Sequence, residues 1–221
     1  MLQYWNVLST IPDVQNWQQQ EDGSQDCIIR LAIFFHDAVY NPKSGTNEID
    51  SARLFLDFVS ELKSDAATAT TATTKALKIT VSPWVASQVV TYILATQKHT
   101  LLALPSLMGD TATESDDAMV TTQSPVFGQA VFLDIDMAVL GKEPTTAYPS
   151  YAKCIRDEYD HFPFIPDYCK GRSSVLETFL KSSIFCTKYF HDAFDGLARD
   201  NLRKEIDQLQ EQLRLQSGND S

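Results

Sequence analysis

The stretch Arg30-Leu-Ala-Ile-Phe-Phe-His-Asp-Ala-Val-Tyr40 places two ionisable side chains at the end of an apolar run. Such a run is typical of a helix that is buried in a protein core. Because an unpaired charge is costly to bury, His36 and Asp37 are expected to have a partner or a bound cation. A neutral imidazole beside a carboxylate is a ligand pair that suits a divalent metal. The alternative is a half-buried histidine that is hydrogen-bonded to its neighbouring aspartate.

The segments on either side of this stretch show the apolar spacing of helices. Residues 1–11 carry apolar side chains three positions apart, which predicts an amphipathic helix followed by a polar loop over 15–25. Ser82-Pro83 combines an N-cap residue with a favoured first helical residue, so a helix is expected from there to about His99. No stretch alternates apolar and polar residues as a half-buried strand does. The sequence therefore predicts an all-α fold.

Length and composition predict one folded domain with two insertions. A chain of 221 residues, 43% of them hydrophobic, suits a single helical domain, which is assigned to residues 1–216. The Ala/Thr-rich stretch at about 64–76 and the acidic stretch at about 104–125 offer little apolar surface to bury. Both are predicted to be flexible insertions, and residues 217–221 are predicted to form a disordered tail.

Charge and cysteine usage limit the partners of the chain. With 18 basic and 29 acidic residues the formal net charge is −11, and nucleic-acid binding is not expected because it needs a basic surface. A small phosphorylated substrate is compatible with this charge, since a cleft can oppose the net charge locally. No apolar run approaches the roughly 20 residues of a membrane span, so no membrane partner is expected. The four widely spaced cysteines are expected to be free thiols, and the protein to be cytoplasmic.

Two later segments are also expected to be helical. Residues 126–140 form an apolar run that contains Asp134 and Asp136 and is expected to end at Gly141. Two positions apart on a helix, the two carboxylates point about 200° apart, so they are not expected to face one metal equally.

Near the C-terminus, a narrow apolar seam predicts a helix that docks or forms a short coiled coil, which offers a contact for a homo-oligomer. The seam consists of Leu202, Ile206, Leu209 and Leu213.

Further blocks of sequence follow the His-Asp pair in a particular order. They are Asn47-Glu48 with Ser51-Ala52, Ala95-Thr96-Gln97-Lys98-His99, the run from Phe132 to Gly141, Tyr151 with Ile155 to Tyr159, Gly171-Arg172 with Val175-Leu176, and Ala198 to Leu202. Together with Phe-Phe-His-Asp-Ala-Val-Tyr-Asn-Pro, this order resembles the HD superfamily of metal-dependent phosphohydrolases. It resembles more narrowly the predicted metal-dependent HD phosphohydrolases, whose natural substrate is poorly defined. The resemblance runs from the first residues to about Ile206 and implies an HD-like helical bundle.

The resemblance implies a divalent cation, with Mn, Fe, Zn, Co and Mg left open. It implies that His36, Asp37 and Asp136 are ligands, and that Asp134 supports them from outside the ligand set. It also implies a first histidine ligand on an earlier helix, yet no histidine precedes His36. Either the sequence begins late or the site has lost a ligand.

Three residues are candidates for the chemistry. Glu48 would orient the attacking water or support a ligand; its alternative role is to complement a helix dipole. His99, with Lys98, would bind phosphate or a second metal; its alternative is a solvated helix end. Arg172 is a candidate phosphate ligand because a guanidinium fork matches phosphate oxygens.

Two similar side-chain groups are given structural roles instead. Arg156 has the chemistry of a phosphate ligand, but it is expected to pair with an acidic neighbour such as Glu158 or Asp160. His191-Asp192 repeats the dipeptide without the apolar lead, so an exposed, non-ligand role is expected.

Two functions of different classes follow. The first is a phosphohydrolase that acts on a nucleotide or another small phosphate ester through a metal-activated water. The alternative is a catalytically degenerate HD-domain scaffold or binding protein.

Overall fold

The computed structural model describes residues 1–20, 23–68, 80–102, 119–124 and 126–219. Its helices are α1 (Leu2–Leu8), α2 (Pro12–Gln20), α3 (Ser24–Phe35), α4 (Asn47–Thr68), α5 (Pro83–Ala95), α6 (Phe127–Met137), α7 (Ala147–Glu158), α8 (Cys169–Leu180) and α9 (Lys188–Asn219), with a 3₁₀ helix at Ala138–Gly141 and a π-helix at Phe164–Tyr168. No β-strand occurs in these ranges, which confirms the all-α prediction. Most of the two predicted insertions lies outside the described residues. The backbone of α9 runs into the segment that was predicted to be a tail.

The chain divides into two compact units, and the division falls inside α6, between Leu133 and Asp134. The first unit holds α1 to α5 and the start of α6. The second holds the end of α6, the 3₁₀ helix, α7, the π-helix, α8 and α9. The HD-like arrangement and the single domain over 1–216 stay predictions.

In the first unit, α3 packs against α2, α4 and α5, and α4 packs against α5. The apolar run that begins at Ile28 forms the buried face of α3, as its pattern predicts. Each large apolar side chain that is fully buried contributes roughly 1.5–3 kcal/mol to folding. Such side chains in this unit include Trp5, Ile28, Ile29, Phe55, Tyr92, Ile93 and Phe132. The predicted N-cap is confirmed, since Ser82 Oγ accepts a hydrogen bond from the Val85 amide at 3.2 Å.

The prediction of a polar loop over residues 15–25 is wrong, because most of these residues are helical. Helix α2 begins at Pro12, a favoured first residue, and carries Asp13 in its first turn, where a negative charge complements the helix dipole. Val14 and Trp17, three residues apart, are buried, and the Trp17 ring meets the edge of the Phe127 ring at 5.0 Å. Two anchoring side chains therefore suffice to hold a helix that is otherwise polar.

In the second unit, α9 packs against α8, the 3₁₀ helix and the π-helix. Three residues of the predicted seam, Leu202, Ile206 and Leu209, are buried within this unit, at 0%, 7% and 7% exposure. The seam is thus used for packing inside the chain, and a homo-oligomer stays a prediction. The predicted end of the helix at Gly141 is wrong, because α6 ends at Met137 and Gly141 lies inside the following 3₁₀ helix, whose C-cap is Lys142. A β-carbon at Gly141 would lie 2.7 Å from Phe194 Cβ. Glycine is required at this position because the two backbones approach so closely.

Candidate functional site

The His36-Asp37 pair lies at the C-terminal end of α3, where the helix gives way to a turn. The His36 amide still donates to the Ala32 carbonyl, four residues earlier, at 2.9 Å. The Ala38 amide instead donates to the Phe35 carbonyl, three residues earlier, at 3.1 Å, so the last turn is tighter than an α-helix. The helix predicted from the Arg30–Tyr40 stretch ends at Phe35. As a result His36 is 9% exposed, whereas the Asp37 side chain is 63% exposed. The pair therefore joins a buried imidazole to a carboxylate that solvent reaches.

The hydrogen bonds of His36 define the chemistry of its two ring nitrogens. Nδ1 lies 3.0 Å from the Ile33 carbonyl oxygen, and because a carbonyl only accepts, Nδ1 carries the proton. Nε2 lies 3.1 Å from Asp37 Oδ2. A second acceptor at that distance requires either a proton on Nε2 or a cation held between nitrogen and oxygen. Nε2 and Oδ2 can therefore share a proton or bind one cation together.

The same pair passes a distance test for metal ligation. Two donors about 2.1 Å from one cation, at the right angle of octahedral coordination, lie about 3.0 Å apart, close to the observed 3.1 Å. An N–H···O hydrogen bond has the same length. A histidine ligand commonly donates its other ring N–H to a carbonyl, as His36 does to Ile33. Within the described part of the chain, no three His, Cys, Asp or Glu side chains form a group that could hold a metal ion. His36 and Asp37 are therefore two candidate ligands, and metal binding stays a prediction.

Two polar residues of α4 hold the turn that follows the pair. Ser51 is fully buried, and its hydroxyl accepts from the Val39 amide at 3.1 Å and lies 3.2 Å from the Val39 carbonyl oxygen. Asn47, one turn earlier, bonds both the amide and the carbonyl of Asn41, at 2.9 and 3.0 Å. Sequence reasoning gave neither residue a role, although their spacing of four on one helix face was a readable signal.

The catalytic candidate His99 lies close enough to Asp37 for its charge to affect that carboxylate. The hydrogen bond with His36 lowers the pKa of Asp37 against the effect of burial, and the nearby His99 imidazole acts in the same direction. His99 has φ of 49°, a left-handed conformation that is uncommon for a residue other than glycine. The Thr100 amide bonds the Ala95 carbonyl at 3.3 Å, so His99 occupies the left-handed position of a helix C-terminus, which glycine usually fills.

Glu48 lies in the first turn of α4, half-exposed, where its charge complements the helix dipole. This position is compatible with the structural alternative that the sequence left open. A role for Glu48 in orienting water stays a prediction.

The two aspartates of α6 belong to the second unit and have different surroundings. Asp134 is fully buried, and its carboxylate accepts from Cys186 N at 2.7 Å, Thr187 N at 2.8 Å and Thr187 Oγ1 at 2.6 Å. Asp136 is half-buried near Tyr151, whose pKa is raised by burial first and also by the charge of Asp136. These different surroundings agree with the expectation that the two carboxylates do not face one metal equally.

Arg172 is engaged in a buried ion pair within the second unit. Its Nε donates to Glu205 Oε1 at 2.8 Å and its Nη2 to Glu205 Oε2 at 3.4 Å, with both side chains 9% exposed. Tyr148 also donates its hydroxyl to Glu205, at 2.5 Å. Burial lowers the pKa of Arg172, but the hydrogen bond and charge of Glu205 outweigh it and raise the pKa. A phosphate-binding role for Arg172 stays a prediction. A phosphate bound there would compete with Glu205 for the guanidinium.

The other two groups that the sequence set aside are also structural. Arg156 donates to the carbonyls of Tyr159, at 2.7 Å, and Phe162, at 3.3 Å. An acidic partner for Arg156 stays a prediction. The second His-Asp dipeptide lies on the exposed side of α9, with its side chains 42% and 57% exposed. Asp192 there pairs with Lys188 at 2.6 Å.

The fold and site define an all-α chain with a His-Asp pair at a helix end, backed by two polar residues of the next helix. No helix in the described ranges is long and apolar enough to cross a membrane. Comparison of the chain with protein-family models, with curated proteins and with solved structures finds no match.

Proposed function

We propose that the chain is a phosphohydrolase that cleaves a nucleotide or another small phosphate ester with the help of a divalent cation. The observation that carries the proposal is the 3.1 Å separation of His36 Nε2 and Asp37 Oδ2, with Nδ1 committed to the Ile33 carbonyl. Two donors so arranged suit adjacent positions around one cation. The family resemblance adds Asp136 as a third ligand, which is part of the proposal.

The residues of the chain have separate tasks in this proposal. His36 and Asp37 hold the cation, and Ser51 and Asn47 fix the turn that carries Asp37. The chemistry that a divalent cation would supply there is a lower pKa of water and polarisation of a phosphoryl oxygen. His99, beside Asp37, supplies a second imidazole that can donate a proton to an anionic oxygen of the substrate.

The remaining parts of the proposal concern substrate and location. The substrate is small and phosphorylated, because a formal net charge of −11 does not favour binding to a nucleic acid. We assign the protein to the cytoplasm because all four cysteines are free thiols, as expected in a reducing compartment.

The test is a hydrolysis assay on the full chain with p-nitrophenyl phosphate and nucleoside mono-, di- and triphosphates. Each substrate is offered with Mn²⁺, Co²⁺, Zn²⁺, Fe²⁺ or Mg²⁺. We expect turnover that a chelator abolishes and that Asp37→Ala reduces at least a hundredfold. Asp192→Ala is the matched control, since it alters the aspartate of the second His-Asp dipeptide and should leave turnover unchanged.

The alternative is a binding protein that keeps the outline of an HD domain. It is favoured by the engagement of two predicted site residues, Asp134 and Arg172, in buried structural bonds. Absence of turnover with every cation and substrate would support it over the hydrolase.

A further inference from the structure

A cleft of about 490 Å³ lies in the second unit between α7, the π-helix and α9. Its lining combines aromatic rings, a guanidinium, side-chain amides and an aliphatic residue: Phe164, Tyr168, Arg156, Gln208, Gln212 and Leu209. The volume falls in the range of small-molecule sites, about 300–1,000 Å³. None of these residues takes part in the His36-Asp37 site.

One wall of the cleft is built from stacked rings and a cation. The Phe164 and Tyr168 rings stack with centroids 5.9 Å apart and planes 22° apart. The Arg156 guanidinium lies 4.7 Å from the Tyr168 centroid and 5.3 Å from that of Phe164. Because Arg156 is also bonded to the carbonyls of Tyr159 and Phe162, this wall is fixed before any ligand arrives.

The rings are aligned by an uncommon backbone. Residues 164–168 form a π-helix, and the Tyr168 amide bonds the Pro163 carbonyl, five residues earlier, at 3.1 Å. Single π-helical turns are rare and occur frequently at functional sites. Of the two rings that line the cleft, Phe164 is 39% exposed and Tyr168 is 7% exposed, so Phe164 offers the larger accessible surface.

Helix α9 contributes two side-chain amides to the lining of the cleft. Gln208 and Gln212, one helical turn apart, are exposed, and between them Leu209 is 7% exposed. An amide side chain both donates and accepts hydrogen bonds. Glu205, which also lines the cleft, is already bonded to Arg172 and Tyr148, so its charge is balanced within the protein.

We propose that this cleft binds a flat heteroaromatic ring with hydrogen-bonding edges, of the size of a purine nucleoside. The aromatic wall supplies a stacking surface, and the two amides of α9 can pair with ring nitrogens and exocyclic groups. An apolar helix or peptide is disfavoured as the occupant, because arginine and glutamine side chains interrupt the lining. The inference does not rest on the hydrolase proposal, since it concerns other residues and predicts binding without reaction.

The test measures binding of adenosine and guanosine to the full chain by isothermal titration calorimetry and ligand-observed NMR. Because base–aromatic stacking contributes strongly to affinity, Phe164→Ala should weaken binding about tenfold or more. Phe162→Ala is the matched control: it removes a ring of similar exposure, 42% against 39%, that does not line the cleft. Its affinity should equal that of the parent.

Two further variants probe the rest of the cleft. Ala152→Leu adds bulk to a residue that lines it and should weaken both nucleosides. Gln212→Ala, at an exposed position of α9, should change the ratio of the two affinities several-fold. Melting curves of each variant separate loss of binding from loss of folding. Failure of the parent to bind either nucleoside at millimolar concentration, or equal weakening by Phe164→Ala and Phe162→Ala, would overturn the proposal.

Discussion

Asp134 accepts hydrogen bonds from both the backbone amide and the hydroxyl of Thr187, at 2.8 and 2.6 Å. Thr187 directly precedes α9, so a carboxylate of α6 fixes the point at which the long C-terminal helix begins. Asp134→Ala would leave these buried donors unpaired, and we predict a loss of about 2–4 kcal/mol in the free energy of unfolding. Urea denaturation measures it. Asp192→Ala, at an exposed position, should cost less than about 0.5 kcal/mol.

Asp134 also predicts a pH dependence of stability. Burial, which exceeds the effect of its hydrogen bonds, raises the pKa of Asp134 to about 7. The folded chain then binds a proton that the unfolded chain has lost above about pH 4. Stability should therefore fall between about pH 4 and pH 7, by up to about 1.4 kcal/mol per pH unit, and should level off above. Denaturation curves of the parent and of Asp134→Asn at pH 5 and pH 8 test this. The free energy of unfolding of the parent, minus that of the variant, should be larger at pH 5 than at pH 8. A difference that is independent of pH would contradict the raised pKa of Asp134.

Arg172 and Glu205 form a pair whose two partners should be strongly coupled. Glu205→Gln leaves a buried guanidinium without its counter-charge, and we predict a cost of about 3–5 kcal/mol. The double variant Arg172→Met/Glu205→Leu removes both charges and should recover most of that loss. A double-mutant cycle by thermal and urea unfolding measures the coupling. Additive effects would mean that the pair contributes little.

The same double variant separates the structural role of Arg172 from a role in phosphate binding. If Arg172 acts only through Glu205, the folded double variant should keep the KM of the parent for the phosphate ester. A KM that rises tenfold or more in a stable double variant would assign the guanidinium to the substrate.

His99 predicts opposite changes in stability and function. Its left-handed backbone, at φ of 49°, costs about 1 kcal/mol that glycine avoids. His99→Gly should therefore leave stability equal or raise it by up to about 1 kcal/mol, while hydrolysis falls at least about tenfold. Unfolding curves and steady-state kinetics of the same preparation test this. A variant that is both as stable and as active as the parent would remove His99 from the site.

Much of the helical framework could be predicted because its signals are local. The apolar run before His36 and the Ser82-Pro83 cap each act through neighbours in sequence. Helix α2 was missed because it depends on Val14 and Trp17, which stabilise it only through tertiary packing.

The surroundings of the site residues were predicted less completely, because they too depend on tertiary contacts. The bonds of Arg172 to Glu205 and of Asp134 to Thr187 span 33 and 53 residues, and no local pattern reports such partners. The pairing of His36 with Asp37 is between adjacent residues, so the sequence alone could indicate it. Its 3.1 Å geometry required the structure.

The proposed hydrolase depends on a divalent cation that His36 and Asp37 hold together. The most direct measurement is a titration of the metal-free full chain with Mn²⁺ and with Zn²⁺ by calorimetry, together with Asp37→Ala and Asp192→Ala. We expect saturable binding to the parent and to Asp192→Ala, and loss of that binding in Asp37→Ala with helical content unchanged. Equal metal binding by the parent and Asp37→Ala would contradict it.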